Sequence, residues 1–414
     1  MSRRRVVVTG IGAVTPIGHG AEGLWAGIRE GRSGIKTIDR FPTDDIHTTV
    51  AAQVDDFDPL DFFDKKLARR MDRFAQFAVA ACDMAVEDAG LSLDPSHVQE
   101  RIGVTMGTAL GGVAGAEREH ENYLLHGIGA VDTSLALTVF GGSGSSNIAI
   151  RYGLAGPSNA NSNSCSSGAI AIGEAYRYIR DGYAEAMIAA SAEAPLYKLT
   201  FSAFTLIRTM SVNPDPRTAC RPFDRQRDGF VMGEFAAVLV LEELGHALRR
   251  DARIYCELLG YACNNDAHHM VAPRPDGSSA ARAITEALQD ARRTPADVEY
   301  INAHASSTAA NDRVETKVIK QVFKDRASHI PVSGTKAMHG HALGASGALE
   351  AAICCQVFQH EYIPPTLNHA TPDPDCDLDC IPNQGRAARV DTILSNAFGF
   401  GGINATLILG RYQE

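Results

Sequence analysis

Short apolar runs that close in glycine alternate along this chain with stretches that are apolar at every third or fourth position. Near the start, "RRVVVTGIGAVTP" and "RIGVTMGTALGG" predict buried strands ending in glycine-rich turns. Between them, "RFAQFAVAACDMAVEDAG" (73–90) predicts a helix that stops at Gly90, where a C-terminal capping glycine belongs. Later, "RIYCELLGYACNND" and "VEYINAHASST" again predict strands ending in polar loops, with "SAARAITEALQDA" (279–291) as the helix between them. This alternation implies an α/β layered architecture. The two parts share a plan, and no long Pro/Ser linker divides them. The join is expected after "EFAAVLVLEELGHALRRDA", giving tightly packed halves 1–250 and 251–414.

Composition narrows the class. The 414 residues are 45% hydrophobic and 21% charged, as in a soluble globular protein. A formal charge of -10 argues against general nucleic-acid binding, which needs a positive face. No apolar run has the length of a membrane span, so no membrane association is expected. The opening "MSRRRVVVTGIG" imitates a signal peptide, but its apolar part is only "VVV", so a buried strand leading into a glycine turn fits better. Nine scattered cysteines read as reduced thiols of a cytoplasmic protein. "CDLDC" (376–380) lacks zinc-knuckle spacing.

One cysteine stands apart. Cys165, in "SNSCSSG", falls at or just before a helix whose buried face is Ala169, Ile170, Ile172, Ala175 and Ile179 and whose end is marked by Gly182. Unpaired N–H groups and the positive helix end there would stabilise a thiolate, and small neighbours leave room for substrate. The same local residues also suit a buried filler cysteine. The histidines bear on that choice. "INAHASSTAANDRVE" sets His304 at a strand end, and "VSGTKAMHGHALGASGALE" sets Lys336, His339 and His341 in a glycine-rich loop, with Glu350 in the following helix. "LSNAFGFGGINATLIL" brackets Phe398 and Phe400 with glycines. The histidine spacing offers no third ligand, so no metal is expected.

In combination and order, "RPFDRQRDGFVMGE", "INAH", "GTKAMHGHALGASGALE" and "NAFGFGGINA" resemble the β-ketoacyl-acyl carrier protein synthases, over essentially the whole chain. The similarity is greatest to the elongating synthase II type and to catalytic ketosynthase subunits of type II polyketide systems. The resemblance implies a thiolase-like fold of duplicated halves in five αβαβα layers, usually dimeric. It implies a decarboxylative condensation of an acyl group with malonyl-carrier protein, in fatty-acid or polyketide elongation. Cys165 matches the nucleophile, His304 and His341 the active-site histidines, and Lys336 and Glu350 the supporting pair. Phe400 and Phe398 match the gating loop, and the backbone N–H groups of Cys165 and Phe400 match the oxyanion hole. Ser306 and Thr308 match hydroxyls near the malonyl and pantetheine groups, although ordinary turn residues would look the same. Leu110 lies near the chain-length position. No cofactor is implied, because substrates ride on the carrier's phosphopantetheine.

The chain departs from the family pattern at Ala305, Phe235 and Ala237, which replace glycines, at "NSC" before the nucleophile, and at Val271 in place of a threonine. Lys66, Arg69 and Arg70, with Arg208, match docking positions for an acidic carrier protein, and "SLALTVFGG" (134–142) matches the dimer interface. Two other readings remain. A thiolase would carry a second active cysteine where this chain has "GFGG", and a chain-length factor typically loses the nucleophile. Pairing with itself or with such a factor stays open.

Overall fold

The computed structural model describes residues 3–413. Its main sheet contains ten strands in one path: β1 (Val6–Thr15), β2 (Ile102–Gly107), β3 (Ser158–Asn161), β4 (Ala186–Glu193), β5 (Phe235–Glu243), β6 (Cys256–Asn265), β7 (Tyr300–Asn302), β8 (Val332–Ser333), β9 (Thr392–Gly399) and β10 (Ile403–Gly410). A two-residue strand, Gly18–His19, pairs only with β1. The spatial order is β8-β7-β9-β10-β6-β1-β5-β4-β2-β3.

That order contains a repeat. β1 to β5 lie as 3-2-4-5-1, and β6 to β10 lie in the same relative order. The directions repeat too: β2 is parallel to β3 and β4, as β7 is to β8 and β9, while the remaining neighbours within each set are antiparallel. The two sets meet only where Val6–Val8 of β1 pair with Cys256–Leu258 of β6.

Helices cover every face. The main ones are α1 (Gly20–Glu30), α2 (Arg73–Asp88), α3 (Ser167–Arg180), α4 (Ser278–Asp290), α5 (Ala309–Phe323) and α6 (Ser346–His360). Strand periodicity distributes side chains among three cores. Leu239 and Leu241 of β5 enter a central core with Ile172 and Ile179 of α3 and Leu349 and Ile353 of α6. Their neighbours Val238 and Val240 enter an outer core beneath Phe74, Phe77 and Ala81 of α2. On the other side, Leu407 and Leu409 point to the central core, and Ile408 points to an outer one with Ile284 of α4 and Val318 of α5. The result is five alternating layers, α/β/α/β/α. Covered on both faces, β1 and β4 are buried at every position, which is why they read as unbroken apolar runs.

One sequence expectation is corrected. β1 does not turn at its first glycines but runs through Gly10 and Gly12. A Cβ on those residues would lie 2.3 Å from Ala85 O and 1.8 Å from Ala81 O, so the glycines admit the backbone of α2 rather than make a turn. The same device sets the central layer. A Cβ on Gly168 would stand 2.7 Å from Ala348 N, and one on Gly347 would stand 2.8 Å from Ala169 N. α3 and α6 therefore touch backbone to backbone at their first turns.

At the opposite end of the sheet, Glu242 is a buried anchor. Its carboxylate accepts from Thr9 Oγ1 and pairs with His246 and Arg250. Burial works to raise this carboxyl, but bonds from Arg250, His246 and Thr9 outweigh it and hold the group at about 2. A folded-state value below the unfolded one gives stability that is present above about pH 4.5 and lost as pH falls through about 2. The ionised group is worth roughly 3 kcal/mol at neutral pH. Denaturant unfolding of Glu242→Gln should therefore show that deficit at pH 7 and a smaller one near pH 3. A deficit independent of pH would refute the assignment.

Candidate active site

Cys165 sits in a single 3-10 turn, Ser164–Ser166, that runs directly into α3. Ser164 adopts φ 53°, a left-handed bend that throws the next side chain off the helix axis. The serines around it are staples. Ser167 Oγ donates to Ser164 O at 2.7 Å and accepts from Asn163 N at 2.8 Å, while Ser166 Oγ lies 2.9 Å from Ala397 O and 2.8 Å from Ile403 O. Those last contacts tie the cysteine turn to the β9–β10 loop. A Cβ on Gly399 would lie 3.1 Å from Cys165 N, and the Phe400 N–H is directed at the Cys165 sulfur.

The helix start is not the strongest influence on the Cys165 sulfur. Burial pushes the Cys165 thiol up, and the opposing pull of the Ser164 hydroxyl, Lys336 and the Phe400 N–H does not offset it. The helix start lowers the cost of the anion without making it the ground state.

His304 follows β7 in a loop held under strain, with Ala305 at φ 42° and Ser307 at φ 66°. Glu315 of α5 holds that loop by accepting from His304 N at 2.9 Å and Ala305 N at 2.8 Å. Lys336 donates to the His304 carbonyl at 2.5 Å and pairs with Glu350. Burial pushes both Glu315 and Glu350 up to about 7. His341 precedes α6, with Nδ1 2.7 Å from Ser346 Oγ. The two imidazoles meet edge to face, centroids 5.3 Å apart. Burial first, and then the Lys336 charge, pull both histidines well below 6.5, so they are neutral at physiological pH. His304 Nδ1 is buried with no hydrogen-bond partner among the described residues. His339 belongs elsewhere, 2.9 Å from Thr335 Oγ1 and edge-on to Phe235 in the core.

A cavity of about 310 Å³ joins these groups. Cys165, His304, His341, Ser306, Thr308, Phe398, Phe400 and Arg208 all line it, and Val271 forms part of its wall. The Ser306 and Thr308 hydroxyls lie 3.0 Å apart, and Thr308 also caps α5 by accepting from Asn311 N at 3.2 Å. Thr308 thus serves the turn and faces the cavity. Phe400 stacks on Phe204 with centroids 6.4 Å apart.

Other predicted residues lie outside the cavity. Lys336 and Glu350 are fully buried and brace it from behind. Leu110 packs in an apolar cluster that contains Cys165, Phe201, Met210 and Phe230. Lys66, Arg69 and Arg70 line a separate surface cleft with Lys65, Asp132 and Ser134, so the basic docking set is divided between this cleft and Arg208. In the 134–142 segment, Leu137 and Phe140 are exposed, as are the nearby Leu124, Leu125 and Ile128. Among the described residues, no group of three or more His, Cys, Asp or Glu side chains is arranged to hold a metal.

Sequence reasoning missed Glu193 and Glu315. The signal for Glu193 was an acidic residue closing the otherwise uncharged strand "AMIAASAE", with no cation nearby to pair with it. Glu315 stands in a helix with charged neighbours and carried no such mark.

Comparison with known proteins agrees with this geometry. Residues 3–247 match the model for the beta-ketoacyl synthase N-terminal domain, and residues 255–370 match the C-terminal domain. The 3-oxoacyl-[acyl-carrier-protein] synthase 2 of Synechocystis sp. is 46% identical over 414 residues, 100% of this chain and 99% of that protein. The protein of the same name from Coxiella burnetii is 40% identical over 412 residues, 99% of each chain. Among solved structures, a type II polyketide synthase ketosynthase bound to the hexaketide, in complex with its acyl-carrier protein, matches with TM-score 0.90 and 36% identity, covering 100% of both chains. The ishigamide ketosynthase/chain length factor matches with TM-score 0.92 and 37% identity, again over 100% of both chains. The five layers are those of the thiolase-like ketosynthase fold, and the chain belongs to the beta-ketoacyl synthase family.

Proposed function

We propose that this protein is a ketosynthase that carries an acyl chain on Cys165 and condenses it with malonyl-acyl carrier protein, releasing CO2 and a 3-oxoacyl-carrier protein. The observation that carries the reading is the pair of neutral imidazoles, 5.3 Å apart, in one cavity with a buried cysteine.

The chemistry follows in three steps. The Cys165 thiol gives up its proton to a neutral imidazole in the same cavity, its sulfur displaces the carrier's phosphopantetheine thiolate from the acyl thioester, and the imidazolium returns the proton to that departing thiolate, leaving both histidines neutral. The Cys165 and Phe400 N–H groups meet the oxyanion. Malonyl-carrier protein then enters, and its C–C bond breaks to release CO2. The enolate oxygen that develops accepts hydrogen bonds from His304 and His341, which donate as neutral imidazoles in a water-poor site. With Ser346 Oγ donating to Nδ1 of His341, Nε2 carries the proton that faces substrate. Finally the carbanion attacks the Cys165 thioester and expels the Cys165 thiolate, which takes one proton from solvent to restore the thiol. Lys336, Glu350 and Glu315 hold the His304 loop. Ser306 and Thr308 receive the malonyl or pantetheine polar groups. Phe398 and Phe400 gate entry, and Leu110 bounds the acyl side.

The partner in this reading is an acidic acyl carrier protein, steered by Lys66, Arg69, Arg70 and Arg208 against the chain's overall charge of -10. The halves 1–250 and 251–414 form the two thiolase-like units, and the site of action is the cytoplasm. The exposed apolar run Leu124, Leu125, Ile128 and Leu137 supports pairing, either with a second copy or with a chain-length-factor-like subunit. A thiolase is disfavoured, because the described cavity lining contains Cys165 and no second cysteine.

Two experiments test the reaction. Incubation with acyl- and malonyl-carrier proteins, followed by intact mass, should show acylation of Cys165 and a product lengthened by one decarboxylated malonyl unit. Cys165→Ala should abolish the acyl adduct and condensation. An adduct that survives in that variant would refute the nucleophile. The second experiment reads pH. Because both histidines titrate well below 6.5, their donor form persists as pH falls. Malonyl decarboxylation should therefore hold steady from pH 8 down to about pH 6. A rate that halves near 6.5, the ordinary histidine value, would exclude neutral donors.

A further inference from the structure

Glu193 ends β4, is fully buried, and has no task in the reaction derived above. Its carboxylate is the meeting point of two turns. Oε2 accepts from Ala109 N at 2.6 Å and Gly344 N at 3.2 Å, and Oε1 accepts from Leu110 N at 3.0 Å and Thr108 Oγ1 at 3.0 Å. No cation stands within this set of partners. A carboxylate buried without a cation is a costly way to fill space, and burial pushes it up to about 7 against the pull of those donors. An apolar side chain would serve a purely space-filling position better.

Both turns border the same apolar cluster, which holds Leu110, Leu343 and Cys165, and the second turn also reaches the histidine side of the cavity. The first carries Leu110, which packs in the apolar cluster with Cys165 and Phe201. The second carries Leu343, held at φ 38° and lining the cavity with His341. Their backbones are in direct apposition, since a Cβ on Gly344 would lie 2.4 Å from Ala109 N. Ser191, two residues earlier on the same strand, adds a second tie: its Oγ lies 2.6 Å from Gly107 O and 3.0 Å from Gly344 O. Neither turn can move alone.

We propose that Glu193 is a positioning residue that locks the Leu110 turn to the Leu343–Gly344 turn, so that seating an acyl chain along the Leu110 side sets the geometry at His341. Acyl selectivity and decarboxylation then depend on one another through this carboxylate. The inference rests on the condensing reaction proposed above.

Glu193→Gln keeps the volume but turns an NH2 toward backbone N–H donors, so the four contacts cannot all be satisfied. Thr108→Val removes one donor at nearly constant shape and serves as the second variant where the glutamine protein folds poorly. For wild type, Glu193→Gln, Leu110→Ala and the double variant, Cys165 acylation would be measured with short- and medium-chain acyl-carrier proteins. Malonyl decarboxylation would be measured with and without an acyl group on Cys165. Rates would be normalised to Cys165 sites titrated with iodoacetamide. Glu193→Gln should lower the condensation kcat about tenfold with KM for malonyl-carrier within about twofold. It should also abolish the effect of acylation on decarboxylation, and the Leu110→Ala and Glu193→Gln effects should be non-additive by about tenfold. Additive effects, or a loss fully accounted for by fewer titratable sites, would overturn the proposal. In that case the wild type still condenses. A wild type that neither acylates nor decarboxylates overturns the underlying reaction instead.

Discussion

The backbone contact between α3 and α6 is the constraint on which the site depends. Cys165 lies in the turn before one helix, and His341 lies in the loop before the other. With Gly168 against Ala348 and Gly347 against Ala169, the helices close to backbone distance at their first turns. Any side chain at either glycine would force the first turns apart. The two reacting groups come from segments about 175 residues apart in sequence, and no local preference could bring them together. The five layers support that contact, because a sheet on each side of the central layer buries α6 almost throughout and α3 along its apolar face.

Burial then determines the chemistry. Cys165, His304, His341, Lys336, Glu193, Glu315 and Glu350 are all buried within one region. Water would screen the Lys336 charge and solvate an imidazolium. In its absence the histidines are held neutral, and neutral histidines still donate a hydrogen bond. The same dryness costs the cysteine its resting thiolate. The two effects have one cause, and the proposed reaction needs the first more than it suffers from the second. A donor pair must be ready when the enolate forms, whereas the thiol has to ionise only as it attacks.

Much of this was legible in the sequence. The strands and helices followed from apolar spacing, because a sheet covered on both faces demands uninterrupted apolar runs. The site residues stood out because nucleophile, histidines and glycine loops are each unusual at a strand or helix end. Three kinds of feature were not legible. Gly10 and Gly12 read as turn residues, since sequence does not say whether a missing side chain serves a bend or a passing helix. The upward push of burial on the Cys165 thiol is not legible either, because a helix start is visible in sequence and desolvation is not. Glu193 and Glu315 escape a sequence reading because their shorter bonds are mostly to backbone N–H groups, which leave no trace in residue identity.

The departures from the family pattern now have physical places. Phe235 sits against the His339 ring, 5.5 Å between centroids, on the core side of the loop that carries His341. Ala305 occupies a left-handed position at φ 42°, which costs a non-glycine residue about 1 kcal/mol. Its methyl is accommodated because residue 334 is glycine, where a Cβ would lie 2.3 Å away. Both substitutions lie behind the reacting groups and alter what braces them. Val271 is different, since it forms part of the cavity wall itself and offers substrate an apolar surface where a hydroxyl is the family habit. In the function proposed above, the reacting set therefore keeps the family pattern, while Val271 makes one wall of the approach apolar. On that proposal, the combination alters how a carrier's arm is held without altering the bond that is made.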